Sequence, residues 1–284
     1  VKSPMDGVRR PKYFNERDRR LSEDETEDLL AAAREEDRLR SIELAIDARL
    51  GAAREAAATL PNRTARNRHL IAERQRISED LGDEFVHVPL YEALITFLLV
   101  TAARRGEALK LEWKYLDLPG QTAFFKDTKN GRDRTVPVRR EAIPILAALP
   151  RSAARVFPIT VDDLKGAWAR ICDRAGLEDF NLHYLRHTGI SEIVEAAFLA
   201  GTPLTLPALQ AITGHRDLAS LARYTHVCAG QLAQVLDRCF QESRSKQRVH
   251  KGRVRAWSPT GTPGVAARDL AAELERPAYN TIPA

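Results

Sequence analysis

The sequence predicts a mainly α-helical protein with one small antiparallel three-stranded β-sheet, an α+β class. Three observations predict it. Long stretches on either side of the chain's middle place apolar residues three and four apart, the period of a helix face. One interval, 115–138, breaks that period into short strand-like runs separated by Pro119-Gly120 and Asn130-Gly131, which are turn pairs. The 284 residues are 44% apolar and 29% charged, enough for a buried core and unlike a disordered chain.

The first twenty residues hold Pro4, Gly7 and Pro11 among charges and read as a linker. Ser22 followed by Glu25 has the form of a capping box. Leu29, Leu30, Leu39, Ile42, Ile46 and Leu50 then recur at helical spacing until Leu60-Pro61-Asn62, and Leu70, Ile77 and Leu81 resume it. Residues 22–82 are therefore expected to be two long helices, a hairpin whose part over about 35–82 looks inserted. Pro89 is expected in the first turn of an apolar helix over 89–101. Three short strands follow, and Pro137 marks the third as an edge. From Glu141 onward helices are expected at 141–149, 160–175, 181–199, 205–213, 217–228 and 230–241. The organisation expected is a basic linker (1–21), a catalytic domain (22–241) and a basic, partly mobile tail (242–284).

Composition excludes several classes. The longest apolar run, Ala93 to Ala103, is interrupted by Thr96 and Thr101 and falls short of the roughly 20 residues that span a bilayer. No charged-then-apolar leader opens the chain, and Val1 at its start suggests a fragment. Cys172, Cys228 and Cys239 are too few and too scattered for a disulfide framework or a zinc cage, which suits a reducing cytoplasm. The net charge is +5, but residues 1–20 carry +4 and residues 241–255 carry +5. The surplus thus sits in two arms suited to a polyanion, with Arg9, Arg10 and Lys12 in one and Arg244, Lys246 and Arg248 in the other.

Five segments carry chemistry. Thr101 to Glu107, including Arg104 and Arg105, closes one helix and opens another. Thr128-Lys129-Asn130-Gly131-Arg132 sits at the hairpin turn. His183-Tyr184-Leu185-Arg186-His187-Thr188 lies early in a helix. Gly214-His215-Arg216 is read as the start of another, and Arg223-Tyr224-Thr225-His226 follows nine residues later. In order and spacing this set resembles the catalytic domain of the tyrosine recombinases, or phage integrases, over about residues 85–240. The resemblance implies that fold and a catalytic set of Arg104, Lys129, His183, Arg186, His215 and Tyr224, with Glu107 in support. There are departures. Ala102 and Ala103 stand where relatives carry Gly-Leu, the usual Leu-Leu-Gly-His is Ile212-Thr213-Gly214-His215, and a frequent threonine is Leu221.

These residue types suit strand exchange. A phenol can hold a broken strand as a phosphotyrosyl ester that stays reactive to a returning hydroxyl. Tyr224 would attack and leave a 3′-phosphotyrosyl link and a free 5′-hydroxyl. Arg104 and Arg186 would each offer paired donors to the non-bridging oxygens. His183, three residues from Arg186 on one helix face, is the expected base toward Tyr224. His215 would donate to the phosphate, and Lys129 would protonate the leaving oxygen. Arg105 and Arg132 are expected on the DNA backbone; His187 and His226 are read as structural. No metal site or cofactor is expected. The expected partner is double-stranded DNA, with a homotetramer on paired sites and a monomer possible without DNA, in the cytoplasm of a bacterium or encoded by a phage. A catalytically silent DNA-binding module and a type IB topoisomerase-like relaxing enzyme are the alternatives.

Overall fold

The computed structural model describes residues 19–82, 84–126, 133–225 and 240. The chain divides into two compact units, Val1–Ala229 and Gly230–Ala284. The described residues belong to the first, Phe240 apart.

Helix α1 (Glu23–Arg49) begins as expected. Ser22 Oγ accepts the Glu25 N–H at 3.1 Å while Glu25 returns to the Ser22 N–H at 3.0 Å. The expected hairpin has three helices rather than two, because the chain bends at Leu50 before α2 (Gly51–Ala58) and α3 (Arg63–Leu81). Leu50 stays buried at that bend with Ile46, Ile77 and Leu81 in a small satellite core. Leu39, placed on the apolar face by its spacing, is instead 40% exposed. The first half of α1 belongs to the main core. Its buried Asp37 accepts the Tyr91 and Glu92 N–H groups at 2.8 and 2.9 Å, and Ser41 Oγ accepts the Val88 N–H. α1 thus supplies the N-terminal cap of α4 (Leu90–Thr101), whose own Pro89 stands at the cap position, one residue before the first turn expected of it.

α4 is the central element, buried along nearly its whole length, with α1 on one side and α8 (His183–Leu199) on another. Phe97 packs against both Phe125 and Phe157. At the α4–α8 crossing the helices meet backbone to side-chain-free backbone. A Cβ built on Gly189 would stand 2.3 Å from the Leu99 carbonyl oxygen, so only glycine permits this approach.

After the four-residue helix α5 (Arg105–Ala108), strands β1 (Leu116–Asp117), β2 (Thr122–Phe125) and β3 (Arg134–Pro137) form one antiparallel sheet in the order β1-β2-β3. Pro137 lies on its edge, as read. The expected helix 141–149 is a single 3₁₀ turn followed by the short α6 (Ile143–Ala147). α7 (Val161–Arg174), α9 (Leu206–Thr213) and α10 (Ala219–Thr225) complete the fold. The expected helix 230–241 lies outside the described residues. Among the described residues no helix is long and apolar enough to cross a membrane.

Candidate active site

Three interruptions of regular structure bring the charged residues together. α4 ends at Ala102 in the left-handed region, φ 50° and ψ 30°, and Ala103 leads to Arg104, which caps α5. A left-handed conformation is what glycine adopts without strain, and here an alanine holds it. α8 begins at His183, so Arg186 lies in its first turn and points back across α4. α9 ends at Gly214, φ 66°, in a left-handed C-cap. Gly214 and His215 therefore lie in the connection between α9 and α10. They do not open a helix as their sequence suggested.

Glu107 organises the first arginine. It accepts the Arg104 N–H at 2.8 Å and the Arg104 Nη1 at 3.0 Å. It also takes both Nη atoms of Arg134, at 2.8 and 2.7 Å. Burial would raise the Glu107 pKa, but Arg134 and then Arg104 together outweigh it and hold the carboxyl below its ordinary value. Arg104 spends its other Nη on the Gly214 carbonyl at 3.0 Å. Arg134, from β3, was missed in the sequence. It is buried over the Phe125 ring and against Gly214, where a Cβ would come within 2.6 Å of its guanidinium. Its strand position beside an edge gave no signal that it would turn inward to a carboxylate.

Arg186 is the deepest cation. Its Nη1 donates to the Ala102 carbonyl at 2.5 Å and its Nη2 to the Thr213 carbonyl at 2.6 Å. One side chain thus ties α8 to the ends of α4 and α9. Burial, then repulsion from Arg104, pulls its pKa down to about 9. It remains charged at neutral pH, but under a strain that an arriving anion would relieve. His183 is pushed the same way, by burial and then by Arg186 and Arg104, and is neutral at pH 7.

His215 Nδ1 lies 2.8 Å from Thr213 Oγ1, which itself donates to the Leu209 carbonyl. That order of donors puts the proton on Nδ1 and leaves Nε2, 3.5 Å from Arg186 Nη2, as the acceptor. Tyr224 is buried with Ala102, Ile190, Leu209 and Leu221. Its Oη lies 2.6 Å from Nδ1 of His187, a residue read as structural from sequence. Residue type alone could not separate His187 from His183 four positions earlier.

Arg104, Arg105, Lys110, Lys126, His183 and Arg186 line an open pocket of about 690 Å³. Its carboxylate, Glu107, is already held by two guanidiniums, so the pocket presents positive charge and is suited to an anion of phosphate size. His215 and Tyr224 lie beyond its lining, joined to it through Arg186 and His187. Lys129 and Arg132 lie outside the described residues, as do Arg9, Arg10, Lys12, Arg244, Lys246 and Arg248. Among the described residues no cluster of three or more His, Cys, Asp or Glu side chains could hold a metal ion.

A family model described as the phage integrase family matches residues 89–230, half of the chain and the portion that builds this pocket. The chain belongs to the phage integrase family. Among curated proteins this integrase-family chain is 36% identical over 176 residues to a shufflon-specific DNA recombinase of Escherichia coli, covering 61% of the chain and 44% of that protein. It is 24% identical over 172 residues to the integrase of Salmonella phage P22, covering 50% of the chain and 41% of the phage protein. The chain thus spans less than half the length of these relatives. Among solved structures it is similar to XerA recombinase, at 18% identity and a TM-score of 0.46, covering 78% of this chain and 64% of that one. It is also similar to the catalytic domain of bacteriophage HP1 integrase, at 26% identity and a TM-score of 0.41, covering 52% and 82%.

Proposed function

We propose that the chain is the catalytic part of a site-specific recombinase that cuts and rejoins DNA through a 3′-phosphotyrosyl intermediate. The observation that carries the reading is the open basic pocket, a volume lined by Arg104, Arg186 and His183, with Tyr224 bonded to His187, whose ring meets that of His183. The scissile phosphate occupies that volume. Arg104, aimed by Glu107 and the Gly214 carbonyl, and Arg186, aimed by two carbonyls, neutralise the charge that gathers on its non-bridging oxygens. Two fixed guanidiniums need little reorganisation as that charge grows, and loss of one is expected to slow cleavage about a hundredfold or more.

Neutral His183 lies at the pocket wall, where it bonds a phosphate oxygen. His215 reaches the same phosphate by presenting a proton on Nε2. Tyr224 brings its Oη to phosphorus, and Lys129 protonates the departing 5′-oxygen. The working assembly is a homotetramer on two duplexes, with Arg105 and the two basic arms along the phosphate backbone.

The test is a duplex nicked beside the cleavage point, so that the short product diffuses away and the covalent complex is trapped. The wild-type chain is expected to form that complex and Tyr224→Phe to form none. Equal product from both proteins would sink the reading, and absence of product from wild type with DNA binding intact would leave a silent DNA-binding module.

A further inference from the structure

We propose that His187 is the proton acceptor for the Tyr224 hydroxyl, an assignment that rests on the strand-transfer reading above. The geometry points to His187 Nδ1, 2.6 Å from Tyr224 Oη, with the two rings near parallel at 28° and their centroids 6.1 Å apart. Tyr224 is only 4% exposed and sits among Ala102, Ile190, Leu209 and Leu221. A phenol has an unperturbed pKa near 10. One enclosed by methyl groups and methylenes has no bulk water to take its proton, so a base in contact with it is required.

His183 and His187 are one helical turn apart on α8, and their rings meet edge to face at 5.0 Å. His183 lines the phosphate pocket and His187 stands behind it on the phenol. The two imidazoles thus divide the work, one toward the phosphate and one toward the nucleophile. In the free protein a further positive charge next to Arg186 is unfavourable. Proton transfer to His187 therefore awaits the phosphate anion, which keeps the tyrosine protonated until DNA is in place.

The step balances as follows. The Tyr224 proton passes to His187 Nδ1, whose Nε2 already carries one, giving an imidazolium. The electron pair of the O–H bond stays on Oη and forms the new O–P bond. The P–O5′ bond breaks with its pair going to the 5′-oxygen, which takes a proton from the general acid. On rejoining, the incoming 5′-hydroxyl returns its proton to the conjugate base of that general acid, attacks phosphorus and expels Oη, which recovers its proton from His187.

The test uses the full chain and the nicked duplex under single-turnover conditions. His187→Asn keeps a polar group near the Nδ1 position but is no base, and is expected to slow covalent-complex formation about a hundredfold or more at unchanged DNA affinity. His187→Gly with added imidazole is expected to regain rate with imidazole concentration. A duplex with sulfur as the bridging 5′ atom needs no general acid, and it is expected to leave the His187→Asn defect in place. Cleavage by His187→Asn within about threefold of wild type, or a folded His187→Gly indifferent to imidazole, would overturn the assignment while leaving the tyrosine nucleophile intact. Covalent product surviving in Tyr224→Phe would overturn both together.

Discussion

Gly189→Ala tests whether the α4–α8 contact aims the second arginine. The new methyl would lie 2.3 Å from the Leu99 carbonyl oxygen, 3.1 Å from its carbon and 3.4 Å from its Cα. All three are backbone atoms of a buried helix, so no rotamer change relieves the clash, and α8 must retreat by about 1 Å to reach ordinary contact. Overpacking of this kind costs about 1–3 kcal/mol, while alanine in a helix interior recovers about 1 kcal/mol relative to glycine. The net loss is up to about 2 kcal/mol, a fall of a few degrees in Tm for a domain of this size. The functional loss is expected to be larger than the stability loss. Arg186 lies one turn before Gly189, and its 2.5 Å bond to the Ala102 carbonyl, one turn beyond Leu99, spans the same gap. A displacement of about 1 Å at a positioning group costs on the order of a hundredfold. The assay is a thermal melt paired with single-turnover cleavage of the nicked duplex. Gly166→Ala in α7 is the control, because its Cβ would meet only Arg170 Nη1 at 3.6 Å, and it is expected to be neutral or slightly stabilising. The reasoning is refuted if Gly189→Ala melts and cleaves like wild type, or if Gly166→Ala suffers equally.

Two further outcomes follow from the charged groups. Arg134→Ala leaves buried Glu107 with Arg104 as its remaining partner here and is expected to cost about 3 kcal/mol at neutral pH by thermal melt. The Glu107 pKa is depressed in the folded state, so its contribution is present above the ordinary carboxylate pKa and lost as pH falls through the lower folded value; in Arg134→Ala that acid loss is expected to begin at higher pH. Asp37 has the opposite sign. Burial, against backbone N–H bonds from Glu92, Tyr91 and Leu90, raises its pKa from 3.8 to about 6. The folded state therefore holds that proton more tightly, and stability from this group is full below pH 4 and is lost as pH rises through about 6. Asp37→Asn is expected to flatten the melting temperature against pH across that window, by up to about 3 kcal/mol relative to wild type; an unchanged slope would show that Asp37 does not titrate there.

The sequence by itself determined the elements and the chemical inventory. The capping signal at Ser22, the period of α4 and the turn pairs around β2 act within a few residues, so local physics reads them directly. The order Arg104, His183, Arg186, His215, Tyr224 was likewise visible, because each residue type was recognisable in its short motif. The partnerships were decided only in three dimensions. Nothing near Arg134 in the chain announces Glu107, 27 residues earlier, and nothing near Asp37 announces the α4 N-terminus, 54 residues later. At the bend, Leu50 is buried in a satellite core with Ile77 and Leu81, residues of α3 roughly thirty positions on. Which of His183 and His187 touches Tyr224 turned on which face of α8 meets α10, a packing fact that two histidines one helical turn apart cannot express. Covalent neighbours fix what a segment prefers, and only the closing of α4, α8, α9 and the sheet on one another fixes which charges must share a space.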